Sequence, residues 1–276
     1  MRDITLGQYF PADSVIHRLD PRVKILSLIA YIALIFCTFN YAALAFTAAA
    51  VLVIVLMSKV PLKMYIKSLK VIIIIVIITS VLNLFYGTGE PIFQWWIIKV
   101  TPAGIRNAIF VCVRIVCLIL LSSVLTFTTS PTDLTDALER LMKPLKVFHI
   151  KVHEIAMMMT IALRFVPTLL EETDKIMSAQ KARGADMESG NLITRIRALV
   201  PVLVPLFVSA FRRAYELATA MECRCYRGGE GRTRMKQLHL AKRDWLSLLF
   251  SAAVIACVVL LNIFAYLIYG LVGIYS

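Results

Sequence analysis

Residues 71–86 read VIIIIVIITSVLNLFY, and Lys59, Lys63, Lys67 and Lys70 stand just before them. An apolar run of this kind, with charge pushed to its edge, reads as a membrane span. Similar runs lie on both sides. Residues 25–40 (ILSLIAYIALIFCTFN) and 41–57 (YAALAFTAAAVLVIVLM) read as a hairpin of two spans with a short turn at Asn40. Each borrows from its flanks to reach the roughly 20 residues that a bilayer requires. Residues 103–127 read as a fourth span and 246–270 as a last one. The chain is 59% hydrophobic, well above the 45–50% usual for soluble domains. The expected fold class is therefore an all-α membrane protein with about five transmembrane helices plus cytoplasmic or interfacial helices.

Lysine and arginine set the expected orientation, because positive loops stay in the cytoplasm. The N-terminal segment carries Arg2, Arg18, Arg22 and Lys24, and the next loop carries the four lysines named above, whereas residues 87–102 carry only Lys99. The N-terminus and the 58–70 loop are thus expected inside, and the loop with Trp95 and Trp96 outside, where tryptophans suit the interface. The net charge of +13 would permit nucleic-acid binding, but the inside bias accounts for it and no nucleic-acid partner is expected. No apolar leader stands in MRDITLGQYFPADSVIHRLD, so no cleavable signal is evident. Cys37, Cys112, Cys117 and Cys257 lie inside apolar runs and give no disulfide pattern.

Residues 128–245 hold 19 of the 30 basic residues and are expected on the cytoplasmic side. The chain divides accordingly into an N-terminal membrane part (1–127), a basic helical region on the cytoplasmic side (128–245) and a last span (246–276). Ser130 suits a helix cap, Pro131 the first helical position and Asp133 the positive helix end. Leu134, Leu138, Leu141 and Leu145 continue at helical spacing, so a short amphipathic helix is expected over 131–146. Two longer helices follow, at about 151–183 and 191–224. Each opens apolar and ends charged. Arg164, Pro201 and Pro205 interrupt their apolar parts, so they are expected at or partly within the inner membrane face. An ordinary transmembrane hairpin is the alternative, but it puts the basic 175–197 segment outside.

The ends of these two helices echo each other. One reads Ala179-Gln-Lys-Ala182-Arg183-Gly184, the other Ala220-Met-Glu-Cys223-Arg224-Cys225. Small residues three apart share a helix face and let another surface come close, with the arginine beside it. An arginine in a last turn is also favoured by the helix dipole, by about 0.3–1 kcal/mol. Two matching copies point instead to a paired docking surface, since the guanidinium fork suits carboxylates and carbonyls in a groove. Gly184 suits the left-handed residue that ends a helix. Cys225 suits it less, which leaves open whether the second helix stops there or runs on to Gly228.

With these signatures the chain resembles the transmembrane T component (EcfT family) of energy-coupling factor (ECF) transporters, ABC-type importers of vitamins and micronutrients. The resemblance covers most of the chain. It rests on SVIHRLDPRVKI (14–25), TTSPTDLTDALERLMKPL (128–145), LRFVPTLLEETDKIMSAQKARGAD (163–186) and AMECRCYRGGEGRTRM (220–235). It implies a scaffold in the bacterial cell membrane whose coupling helices dock on two ABC-type ATPase subunits. Arg183 and Arg224 would be the anchors, flanked by Ala182, Gly184, Cys223 and Cys225 and supported by Ala179 and Ala220. It also implies a separate substrate-binding membrane (S) subunit. ATP and Mg would belong to the partner ATPases, with no cofactor in this chain.

Other chemistry is poorly supported by the residues. There is no GxxxxGK[ST] phosphate loop. Cys223 and Cys225 are too few for structural zinc, which takes four ligands. RGGEGR (227–232) follows no strand and reads as a link back to the membrane. His17, His149, His153 and His239 form no triad or metal spacing, so no enzyme is expected. A stand-alone channel or secondary transporter is the remaining alternative, but polar groups along a path are sparse. Arg114, within the fourth span, is the charge that needs explaining, as a structural contact or a functional one.

Overall fold

In a computed structural model the described residues are 9–85, 93–95, 98–185, 191–228 and 240–272. Eight α-helices account for most of them: α1 (Pro21–Phe36), α2 (Tyr41–Met57), α3 (Leu62–Phe85), α4 (Pro102–Thr128), α5 (Pro131–Leu141), α6 (Val152–Ala182), α7 (Leu192–Cys223) and α8 (Lys242–Val272). A 3-10 turn, Lys143–Phe148, follows α5. Two three-residue strands, β1 (Phe93–Trp95) and β2 (Ile98–Val100), pair antiparallel with Gln94 opposite Lys99. Trp96 and the 229–239 link lie outside the described residues.

Five of these helices are long and apolar enough to cross a membrane, and the chain is a multi-pass membrane protein. They are α3, α4, α6, α7 and α8. The number matches the five spans expected, but the helices that meet this length and apolarity are not the same five. Helices α1 and α2 have 16 and 17 residues, about 24–26 Å at 1.5 Å per residue. That is short of the ~30 Å hydrocarbon core. Helices α6 and α7 run unbroken for 31 and 32 residues through Pro167, Pro201 and Pro205. Proline removes one N–H but need not break a long helix when its neighbours hold the freed carbonyl. The amphipathic helix is shorter than expected. It ends at Leu141 because Pro144 disfavours helix in the residue before it and cannot donate to the ladder.

Two compact units emerge, one from 7–134 with 237–276, the other from 135–236. In the first, α1, α2, α4 and α8 bury a common core that includes Ile35, Val51, Phe127 and Val258. Tyr65 at the start of α3 joins it, its hydroxyl sharing a 2.8 Å hydrogen bond with Ser58 and its ring edge-on to Phe127. Helix α3 lies close on α4, where Thr101 caps the Gly104 amide. A Cβ at Gly104 would stand 2.5 Å from the Leu84 carbonyl oxygen, so only glycine fits that crossing.

The short α1–α2 hairpin explains Arg114. Its turn leaves carbonyls that nothing in hydrocarbon would satisfy. Arg114 of α4 donates to the Thr38 carbonyl at 2.9 Å, and Asn262 of α8 donates to the Cys37 carbonyl at 3.1 Å. The Thr38 hydroxyl donates back to Leu34. The guanidinium also lies over the Phe36 and Phe110 rings, 5.7 and 5.1 Å from their centroids. The charge is thus a structural partner of a backbone turn, with cation–π support.

At the other end of the same unit, several helix termini meet around buried charges. Asp20 caps α1, accepting from the Arg22 amide at 2.9 Å and from its guanidinium. Pro21 takes the first helical position, so α1 starts four residues earlier than expected. The Asp20 amide donates to Asp244 at 2.8 Å, and the other Asp244 oxygen accepts from the Ala241 amide at 2.7 Å. One carboxylate thereby ties the N-termini of α1 and α8. Lys24 donates to the Thr128 carbonyl at 2.8 Å and to the Thr129 hydroxyl at 3.2 Å, at the end of α4. Asp20, Asp133 and Asp244 are close enough to act on its charge. All of Asp20, Lys24 and Asp244 are buried. Nearby, Ser130 caps α5 by accepting from the Asp133 amide at 3.1 Å, as its sequence implied. Burial holds the His17 imidazole below its ordinary pKa. In its neutral form Nε2–H donates to the Phe10 carbonyl at 3.0 Å and Nδ1 accepts from Ser14.

Candidate functional site

The two echoing motifs lie at the C-termini of α6 and α7, and both helices stop in the same way. Arg183 is the last half-helical residue of α6 and Gly184 turns left-handed, with φ 85°. The Gly184 amide donates to the Lys181 carbonyl at 3.0 Å, and the Ala185 amide reaches back to Gln180 at 3.0 Å. In α7 the Cys225 amide donates to Glu222 at 2.8 Å, and the Tyr226 amide reaches back to Met221 at 3.0 Å. Both are Schellman motifs, in which crossed hydrogen bonds satisfy the last carbonyls and fix the chain's exit. The structure closes the question that the sequence left open. Helix α7 ends at Cys223, with Cys225 at φ 55°. Gly228 is left-handed too, but beyond the helix.

Left-handed geometry costs an L-residue about 1–2 kcal/mol, and the two crossed bonds offset that at Cys225. Cys225→Gly is therefore expected to stabilise this turn by about 1 kcal/mol. Cys225→Val, with a branched Cβ, should loosen it. Hydrogen exchange at the Tyr226 amide reads both changes: slower in the glycine variant, faster in the valine one. Equal exchange in all three forms would show that the turn carries no strain.

The identical caps give the two arginines equivalent settings. Each guanidinium leaves the helix at its negative end, which favours a positive charge. Ala179, Ala182, Arg183 and Gly184 are exposed, and so are Ala220, Cys223, Arg224 and Cys225. Neither arginine has a side-chain partner among the described residues. Each motif is therefore a charged fork beside a low surface of small residues. Cys223 and Cys225 are free thiols, and among the described residues no three His, Cys, Asp or Glu side chains gather as metal ligands.

Helices α6 and α7 pack on each other within their unit. Arg213 donates to Glu172 across them at 2.9 Å. An apolar cleft of about 330 Å³ opens between Met158, Ala162 and Phe165 of α6 and Ala214, Ala218 and Met221 of α7. Its last residue on α6 is Leu169, so Arg183 lies about 21 Å further along that helix. Its last residue on α7 is Met221, and Arg224 follows within one turn. The two arginines do not share a pocket. They form two separate exposed sites at the ends of two linked helices. The Glu172–Arg213 tie was not visible in the sequence, because each side chain sits in an unremarkable charged cluster of its own helix.

Residues 12–235 match the family model described as cobalt transport protein, CbiQ. Among curated proteins, the chain is 53% identical over 264 residues to the energy-coupling factor transporter transmembrane protein EcfT of Clostridium kluyveri. That alignment covers 95% of this chain and 97% of the relative. It is 46% identical over 257 residues to the protein of the same name in Bacillus subtilis, covering 93% and 97%.

Proposed function

The chain belongs to the EcfT family of energy-coupling factor transporter transmembrane proteins, and from that premise we propose that it is the scaffold through which two partner ABC-type ATPases drive import. In this reading Arg183 and Arg224 each insert into a groove of one ATPase subunit. Ala182, Gly184, Cys223 and Cys225 are small enough to let the groove close around the fork, and Ala179 and Ala220 extend the same faces. ATP and Mg are bound and used by those partners. A separate membrane subunit carries the vitamin or micronutrient. The observation that carries the reading is the pair of equivalent helix ends, each offering an exposed arginine among small residues, with no side-chain partner among the described residues.

The mechanics follow from the helices. Helix α6 spans 31 residues and α7 spans 32, about 46–48 Å each. The Glu172–Arg213 ion pair and the shared apolar face join them well short of the α6 tip, while on α7 that face runs to Met221, within a turn of Arg224. When the ATPases close on ATP, two anchored tips are drawn together and the joined helices must move as levers. That motion reaches the substrate-binding subunit and reorients it. The N-terminus and the coupling region face the cytoplasm, where ATP is.

Purification of the tagged chain from its native membrane in mild detergent tests this. Two ATPase subunits and a small apolar membrane protein are expected to accompany it, and the assembly should hydrolyse ATP. Recovery of the chain alone, with solute flux of its own in vesicles, would support a stand-alone channel or secondary transporter instead.

A further inference from the structure

Helix α3 carries a stripe of lysines that the scaffold reading does not use. Lys63, Lys67 and Lys70 are exposed, and no acidic residue occurs from 59 to 85. None of the three has an ion-pair or hydrogen-bond partner among the described residues. They recur at spacings of four and three, and the same stripe continues as Ile74, Ile77 and Val81, which are 65%, 55% and 46% exposed. The packed side of α3 runs through Tyr65, Ile72, Val76 and Asn83, about 180° around the helix at 100° per residue. The lysines therefore point away from the helices of their own unit, along the line on which the helix then meets hydrocarbon.

Length makes their surroundings specific. Residues 71–85 span about 22 Å, less than the ~30 Å hydrocarbon core. The turns that bear Lys67 and Lys70 must therefore sit at or below the hydrocarbon edge, and their ammonium groups must reach outward. Side chains on a helix lean toward its N-terminus, which is the direction of the headgroups here. The long aliphatic stems can lie on hydrocarbon while the charges reach the phosphate level.

We propose that Lys63, Lys67 and Lys70 form a binding stripe for anionic phospholipid, holding headgroup phosphates against the outer face of α3. The three charges are spaced along the path that one or two lipids occupy beside a helix, with acyl chains on Ile74, Ile77 and Val81. Their alternative is an acidic protein surface. The unbroken continuation into a lipid-facing stripe favours the lipid.

The test uses the full chain with its accompanying subunits, reconstituted with phosphatidylcholine and phosphatidylglycerol together and then released for native mass spectrometry. The wild type is expected to retain phosphatidylglycerol over phosphatidylcholine, with a preference that falls as salt rises. Each lysine is worth about fivefold in association with an anionic surface, so K63Q/K67Q/K70Q should lose most of that preference. K63R/K67R/K70R should keep it. If the triple glutamine variant does not accumulate, the single K67Q and K70Q variants should each lower the ratio. An unchanged lipid ratio in the glutamine variants overturns the proposal. So does a glutamine variant that keeps its lipids but loses an accompanying subunit, which would make the stripe a protein-docking face.

Discussion

Exchange of both Arg183 and Arg224 for glutamate is expected to abolish ATP-driven uptake and to release the ATPases during purification. Each arginine stands exposed at a helix end with no side-chain partner among the described residues, so its charge is available to an incoming groove. Truncating one member of a buried, hydrogen-bonded charge pair at an interface costs about 2–5 kcal/mol. Reversal adds repulsion, and two sites compound the loss. Each single variant should weaken the association measurably. Arg183→Lys and Arg224→Lys should fall between wild type and glutamate, because lysine keeps the charge but loses the planar fork. The fold is not at risk, since both side chains are exposed and the caps are made by backbone. Wild-type uptake in the double glutamate variant would rule out docking through these residues.

A loss of stability is expected from Asp244→Ala. The carboxylate is 2% exposed and accepts two backbone N–H groups, from Asp20 and Ala241. Removing it leaves the buried Asp20 amide and the half-buried Ala241 amide without an acceptor and takes away one of the charges that surround Lys24. Hydrogen bonds to charged groups contribute about 1.5–3 kcal/mol each, and breaking a buried charge cluster costs about 3–5 kcal/mol. A loss of about 3–5 kcal/mol is a large fraction of the stability of most proteins. Asp244→Asn should be milder, because its oxygen can serve one amide while its NH2 group faces the other. Protein accumulation in membranes and the thermal unfolding midpoint in detergent measure the effect. An unchanged midpoint for Asp244→Ala would mean that the α1 and α8 termini are held by packing alone.

The two helix ends of the candidate site were largely legible in the sequence, for local reasons. A helix end is decided by a few consecutive residues, and AQKARGAD and AMECRCYR carry the same order of small residue, arginine and small residue. Gly184 announced its left-handed turn. Cys225 did not, because its side chain disfavours that conformation, and only the formed Schellman bonds reveal that the helix stops there anyway. The apolar runs of α3, α4 and α8 were equally plain. Helix α1 starts four residues before its apolar run, because Asp20 and Pro21 supply the ordinary signals for a cap and a first helical position. The leucine period continues to Leu145, but Pro144 ends the amphipathic helix at Leu141. Helices α6 and α7 run as the sequence implied, to within a residue at each end, and the charge and prolines inside them do not end them.

By itself, the sequence determined that this is a helical membrane protein with two arginine-bearing helix ends. Apolar length, helical period and the order of residues at a helix end are properties of contiguous chain. The tertiary structure decided how the buried polar groups are satisfied. Asp244 serves an amide 224 positions away, and Arg114 serves a turn carbonyl 76 positions away. A charge removed from water must be met by whichever backbone or side chain lies beside it in space, and that neighbour is fixed only once the helices have packed.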